Sequence, residues 1–129
     1  MKQLIIEGDQ INDIASFYEE INRVFMPNED WQMGQSLDAL SDLLYGGYGE
    51  IKGNEPIQIV WNNIRKAETV LGLQETIAFY TEKLQHPDTY NVKWINEKLD
   101  ALQKGQGQTY FEIIMEIFNE HPNIQLLRN

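Results

Sequence analysis

Residues 56–61 read PIQIVW, an apolar stretch that begins at a proline and ends at a tryptophan. Its length and its β-branched residues predict a strand. Shorter apolar runs near the two ends of the chain, Gln3 to Ile6 and Ile124 to Leu127, predict a first and a last strand. Helical patterns separate the three. Strands that alternate with helices predict an α/β fold, in which a small three-stranded parallel sheet packs with helices.

Apolar residues at intervals of three and four predict the helices. These segments run from Ile14 to Phe25, from Leu37 to Leu44, from Asn62 or Asn63 to about Leu71, from Leu73 to Leu84, from Val92 to Leu102, and from Phe111 to Phe118. We expect one domain over 1–129. The predicted core includes both Trp61 and Trp94, and the following apolar helix positions: Leu37, Leu40, Leu44, Phe111, Ile114 and Phe118.

The charge of the chain is strongly acidic and unevenly placed. The formal net charge is −10 over 129 residues. No lysine or arginine lies between Arg23 and Lys52, although that stretch contains five acidic residues. Binding to nucleic acid needs clustered cations, so we expect no nucleic-acid partner. The acidity favours a basic protein partner, although many acidic proteins owe their charge to solubility alone.

The chain contains no cysteine, which excludes disulfides and thiol chemistry. The apolar run near the N-terminus is too short for a signal peptide and is interrupted by Glu7. No segment is long enough to span a bilayer. We therefore expect a soluble cytoplasmic protein with no membrane partner.

Asp38 and Asp42 are the first candidate site residues. Ser36 is a predicted N-cap for their helix, and a spacing of four places both carboxylates on one exposed face. Taken alone, they are more typical of ordinary solvated helix acids than of a site.

Two other patterns do not predict a site. Residues 46–49, GGYG, follow a helix rather than a strand and lack the Lys-Ser/Thr ending of a phosphate loop. His86 and His121 each precede a proline and lie outside any ligand-like cluster. We expect neither a metal nor a cofactor.

The sequence resembles the barstar family of intracellular ribonuclease inhibitors. Residues 34–42, GQSLDALSD, are similar to the family's inhibitory helix, Gly-x-x-Leu-Asp-Ala-Leu-x-Asp. Residues 4–11, LIIEGDQI, resemble its first strand and turn, and residues 56–61 resemble its second strand. The end of the chain, 118–120 and 124–127, resembles its last helix and strand.

This resemblance implies that the helix and the loop before it enter a ribonuclease active site. Asp38 and Asp42 would occupy the places of RNA phosphates, with Asp42 the deepest. Glu120 aligns with a third family acid, and Gly34 and Gly46 align with backbone positions that border the interface. The implied partner is a basic ribonuclease or nuclease toxin, bound 1:1, and the chain would not be an enzyme.

The aromatic residues of the family helix are altered here. Ser41 replaces one of them on the helix itself. A second falls at Gln32, beside Trp31, and a third falls at Gly47, beside Tyr48. Trp31 and Tyr48 are therefore candidate interface anchors, although either is also compatible with partial burial.

Residues 71–108 have no counterpart in barstar itself, and we interpret them as an inserted helical pair. Three alternatives to a ribonuclease inhibitor stay open. The chain could be an immunity protein against a different nuclease toxin, which would use the same mechanism. It could be an interaction domain whose partner docks on 71–108. A hydrolase that uses Asp38 and Asp42 as an acid–base pair is the weakest of the three.

Overall fold

The computed structural model describes residues 1–129 and contains three strands and six helices. In chain order, the elements are β1 (Lys2–Glu7), a 3-10 turn (Gly8–Gln10), α1 (Ile14–Phe25), α2 (Leu37–Leu44), β2 (Ile57–Asn62), α3 (Ile64–Val70), α4 (Leu73–Lys83), α5 (Val92–Gln103), α6 (Tyr110–Asn119) and β3 (Ile124–Arg128). The predicted segments and the α/β class are confirmed.

The three strands form one parallel sheet in the order β1-β2-β3. The register places Leu4 opposite Ile59 and Ile59 opposite Leu126. Every second residue of β2 is fully buried, which is the pattern expected when helices cover one face. The other face is more open, and an exposed row of glutamine side chains runs across it through hydrogen bonds from Gln3 to Gln58 and from Gln58 to Gln125.

Trp61 is at the centre of the core, as predicted, and its side chain is fully buried. Its ring stacks on Phe17 of α1 at 6.0 Å and meets Phe111 and Phe118 of α6 at 6.2 and 6.1 Å. Burial of large aromatic side chains contributes strongly to stability. The tryptophan therefore joins the middle strand to the first and last helices.

The second half of the chain departs from the predicted pattern at several apolar positions. Leu73 was predicted in phase with Ile77 and Tyr80 of α4 but is 44% exposed at the first position of the helix, whereas the polar Thr76 is fully buried. The Thr76 hydroxyl donates to the Gly72 carbonyl at 2.6 Å and accepts from the Tyr110 amide at 2.8 Å. These bonds allow a polar side chain to be fully buried.

α4 and α5 pack on each other around a small apolar cluster of Tyr80, Ile95 and Leu102. Trp94 was predicted in the core, but it lies on the outer side of α5 and is 47% exposed. Leu37, also a predicted core residue, is only half-buried. None of the helices combines the length and the apolar character that crossing a membrane would require.

Candidate functional site

α2 is a short helix that is fixed firmly in place. The Ser36 hydroxyl accepts a hydrogen bond from the Ala39 amide at 3.1 Å and caps its N-terminus, as predicted. Leu40, Leu43 and Leu44 are fully buried on its inner face. The capping and the packing together hold the outer face of α2 in one orientation, so any side chain there is presented on a rigid support.

Asp38 and Asp42 lie on that outer face, and both are exposed. Neither carboxylate has a hydrogen bond or an ion pair within the protein. Asp38 is in the first turn, where the helix dipole favours a negative charge. Two exposed carboxylates without internal partners are free to accept charge-assisted hydrogen bonds from arginine, lysine or protonated histidine of another molecule.

Trp31 and Tyr48 form an aromatic pair on one flank of α2, with ring centroids 4.8 Å apart. Trp31 is 45% exposed, whereas Tyr48 is half-buried. The Tyr48 hydroxyl donates to the Ala39 carbonyl at 3.4 Å. Burial raises the pKa of Tyr48, and the Asp42 carboxylate raises it further. The structure therefore brings Trp31, Tyr48 and Asp42 together on one side of the helix.

Gly34 and Gly46, the two glycines predicted at the border of the interface, lie before and after α2. Only Gly46 is at a position that requires glycine. Gly46 has a φ of +85°, and a Cβ placed on it would lie 2.4 Å from the Gly53 nitrogen. At Gly34, by contrast, a Cβ would meet nothing within 4 Å. The structure thus gives a packing reason for Gly46 and none for Gly34, which lies exposed in the loop before α2.

Glu120 is the C-terminal cap residue of α6 and is exposed. α6 packs beside α2. It lines a cavity of about 280 Å³ together with Leu37 of α2. Glu116, one turn earlier on α6, lines the same cavity, although we did not predict it as a site residue. Its spacing of four from Glu120 could have identified it, since residues four apart share a helix face.

A second cavity of about 430 Å³ adjoins the first and shares Leu37, Tyr80 and Trp94 in its lining. We call the two together the flanking groove. On its α2 side are Gln35, Ser36, Leu37 and Asp38; on its outer side are Phe79, Tyr80, Lys83, Tyr90 and Trp94. These outer residues all lie in 71–108, the segment considered as an alternative docking region, but the sequence pattern assigned none of them individually to a site.

Ser41 is half-buried on α2, between Asp38 and Asp42. Ser41 is four residues after Leu37, so helix geometry places it on the same flank as Leu37. Ala39 lies on the opposite flank. The small side chain replaces a family aromatic, but Tyr45, one turn further on at the C-cap of α2, is 63% exposed and supplies a large ring next to it. The other exposed rings beside α2 come from Trp31 on one flank and from the outer side of the flanking groove on the other.

Neither histidine has metal-site geometry, and no group of three histidine, cysteine or acidic side chains is arranged to hold a metal ion. His86 lies 3.5 Å from Glu82 on the surface. His121 is buried, and its ring packs edge-on against Tyr45 with centroids 4.6 Å apart. Its Nε2 atom has no hydrogen-bond partner.

These features define a class: a small α/β protein with a firmly packed acidic helix on its surface, flanked by exposed aromatic side chains. The family model for "Barstar (barnase inhibitor)" matches residues 1–86, two thirds of the chain. The chain belongs to the Barstar family, a family of protein inhibitors of ribonucleases. No curated protein matches the chain.

The family match includes β1, α1, α2, β2, α3 and α4, and ends before α5. It therefore covers Asp38, Asp42 and the Trp31–Tyr48 pair but not Glu120. The interpretation of 71–108 as an insertion into one domain stays a prediction. The family match includes 71–86, the first part of that segment.

Proposed function

We propose that this protein inhibits a barnase-type bacterial ribonuclease, or a related nuclease toxin, by covering the cationic active site with Asp38 and Asp42. The observation that carries the proposal is the pair of exposed carboxylates on α2, one turn apart and without partners in the protein. The family to which the chain belongs supports the class of target.

The chemistry of the target explains why carboxylates suit this task. A ribonuclease site must be cationic, because it binds phosphate and stabilises negative charge in the transition state. A carboxylate in the place of a phosphate accepts hydrogen bonds from the same arginine, lysine and histidine groups. Asp38 and Asp42 are not paired internally, so binding does not have to break an existing ion pair.

Rigidity and charge add to the affinity in different ways. The Ser36 cap and the buried leucines fix α2 before binding, so little conformational entropy is lost when the complex forms. The net charge of −10 attracts a basic enzyme and speeds association at low salt. Salt should therefore slow association more than it speeds dissociation.

The altered aromatic residues bear on which nuclease is bound. Ser41 and Gly47 occupy positions where the resemblance places aromatics, and the Trp31–Tyr48 pair supplies exposed ring surface beside Asp42 instead. We infer a target whose surface around the active site differs from that of barnase. A housekeeping ribonuclease and a secreted toxin would be bound by the same mechanism.

The test is a calorimetric titration of the protein with purified small bacterial ribonucleases, including any encoded beside its gene. We expect tight 1:1 binding to at least one of them. Asp42→Ala should weaken it by on the order of 30-fold or more, since truncation leaves a buried cation unpaired. Asp38→Ala should weaken it less than Asp42→Ala does.

Glu19→Ala is the matched control, because Glu19 is an exposed acid on α1 with no ion pair and lies outside the proposed site. It removes the same charge from the chain. The proposal is wrong if no ribonuclease binds, or if Asp42→Ala and Glu19→Ala have the same effect on the dissociation constant.

A further inference from the structure

α2 is too small to form a complete partner-binding surface. Its eight residues span about 12 Å at the rise of an α-helix. A stable protein–protein interface buries roughly 800 Å² on each partner, from about 20–30 residues. Any partner seated on Asp38 and Asp42 must therefore cover neighbouring surface as well.

The flanking groove is the neighbouring surface that continues directly from α2. Asp38 and Leu37 form part of its wall, so a partner that reaches Asp38 lies at its edge. On the opposite wall, Trp94 is 47% exposed and Tyr90 is 39% exposed. Large, partly exposed aromatic side chains in a groove are the residue types that most often dominate binding energy at interfaces.

We propose that the nuclease also docks in the flanking groove, with Tyr90 and Trp94 as its main apolar contacts. This inference rests on the proposed function. The partner segment that fits is a surface loop carrying an arginine or lysine beside apolar groups, because acids and aromatic rings line the groove together. Neither ring falls within the family match, which ends at residue 86.

The charges in the groove agree with a basic occupant. Its acids are Asp38, Glu116 and Glu120, and its cations are Lys83 and Lys98. The two lysines lie over aromatic rings of the protein and keep their charge, so the three acids exceed the cations by one. The groove therefore keeps the negative sign of the α2 surface from which it continues.

The tryptophan is also ordered before binding. Lys98 Nζ lies 5.1 Å from the Trp94 ring centroid, and the Tyr80 ring meets it edge-on at 6.0 Å. Lys83 Nζ lies 4.0 Å from the Tyr90 centroid in the same way. Rings held by their own neighbours lose little freedom when a partner covers them.

A second copy of this chain is the competing occupant, and charge argues against it. Two molecules that each carry a net charge of −10 repel one another, and contact through an acidic groove would bring these charges close together. A basic nuclease is attracted over the same distances. The nuclease is therefore the occupant that the electrostatics favour.

The experiment compares Trp94→Ala and Tyr90→Ala with Val92→Ala. Val92 is the control because it lies in the same turn of α5 and is 37% exposed but does not line the groove. The probe is whichever ribonuclease binds the unaltered protein in the titration above. Kinetics are measured at low and high salt, and circular dichroism checks that each variant is folded.

We expect Trp94→Ala to raise the dissociation constant about tenfold or more, mainly through faster dissociation, with little dependence on salt. Val92→Ala should bind like the unaltered protein. If Trp94→Ala also binds normally while Asp42→Ala does not, the groove proposal is wrong and the proposed function stands. If no ribonuclease binds, both fail. A dimer of the free protein that Trp94→Ala dissociates would assign the groove to a second copy and also overturn the proposal.

Discussion

Gly46 allows a sharp test of the turn that follows the acidic helix. Its φ of +85° lies in the left-handed region, and a Cβ there would lie 2.4 Å from the nitrogen and 2.5 Å from the oxygen of Gly53. The Gly53 amide also donates to the Gly46 carbonyl at 3.0 Å. Both neighbouring atoms belong to the backbone, so neither can rotate out of the way. Gly46→Ala must therefore shift the chain at this point.

The expected cost has two parts. A residue other than glycine in the left-handed region costs about 1–2 kcal/mol. Forcing extra volume into packed structure typically costs about 1–3 kcal/mol more. We therefore expect Gly46→Ala to lower the free energy of unfolding by about 2–5 kcal/mol. Such a loss is a large part of the total for a typical domain, about 5–15 kcal/mol.

Gly47→Ala is the control, since a Cβ on Gly47 meets nothing within 4 Å and its φ is not positive. Like Gly46→Ala, it lowers the conformational entropy of the unfolded chain, an effect that by itself stabilises the folded protein by up to about 1 kcal/mol. Urea unfolding followed by circular dichroism measures both variants. With a slope of about 2 kcal/mol per molar urea, the midpoint of Gly46→Ala should fall by about 1–2.5 M. Equal midpoints for the two variants would refute the steric argument.

Two further predictions concern tyrosines. Asp42→Asn should lower the pKa of Tyr48, because the carboxylate opposes formation of the phenolate, whereas Asp38→Asn should not; NMR titration of the Tyr48 ring distinguishes them. The Tyr18 and Tyr110 hydroxyls are hydrogen-bonded to each other in the core, and burial raises both pKa values, that of Tyr110 to about 12. Unfolded tyrosine ionises near pH 10, so the pair's contribution to stability is complete below about pH 10 and is lost as pH rises above it. Urea midpoints should fall less steeply with alkaline pH when both tyrosines are replaced by phenylalanine, and an unchanged slope would contradict this account.

The parts of the fold that were predictable from the sequence depend on short-range rules. The Ser36 cap is satisfied by an amide three residues later, so a local pattern was sufficient to predict it. The strand 57–62 carries its own alternation of buried and half-buried residues. The exposure of Asp38 and Asp42 follows from the same helix period that buries Leu40 and Leu44.

The errors arose where burial depends on a distant element. Thr76 is buried because its hydroxyl accepts a hydrogen bond from the amide of Tyr110, which is far away in sequence, whereas Leu73 at the start of α4 is exposed. Trp94 is exposed because α5 packs through Ile95 and Leu102, which leaves its neighbour at the edge of that contact, beside Tyr80 and in the wall of the flanking groove. Hydrophobicity scales treat a buried and an exposed tryptophan alike. The sequence pattern alone therefore did not show which aromatics line a surface.

The same division explains how the candidate site is built. Asp38 and Asp42 lie close in sequence and inside the family match, so their shared face was readable from spacing. Tyr90 and Trp94 lie beyond the match, and they line the groove beside α2 because α5 packs on α4 and α4 packs on α6, which in turn packs beside α2. A cationic active site is common to all enzymes that bind phosphate, whereas the surface around it varies. We therefore propose that the carboxylates of α2 provide the inhibitory mechanism, while the flanking groove, together with the Trp31–Tyr48 pair, determines which nuclease is inhibited.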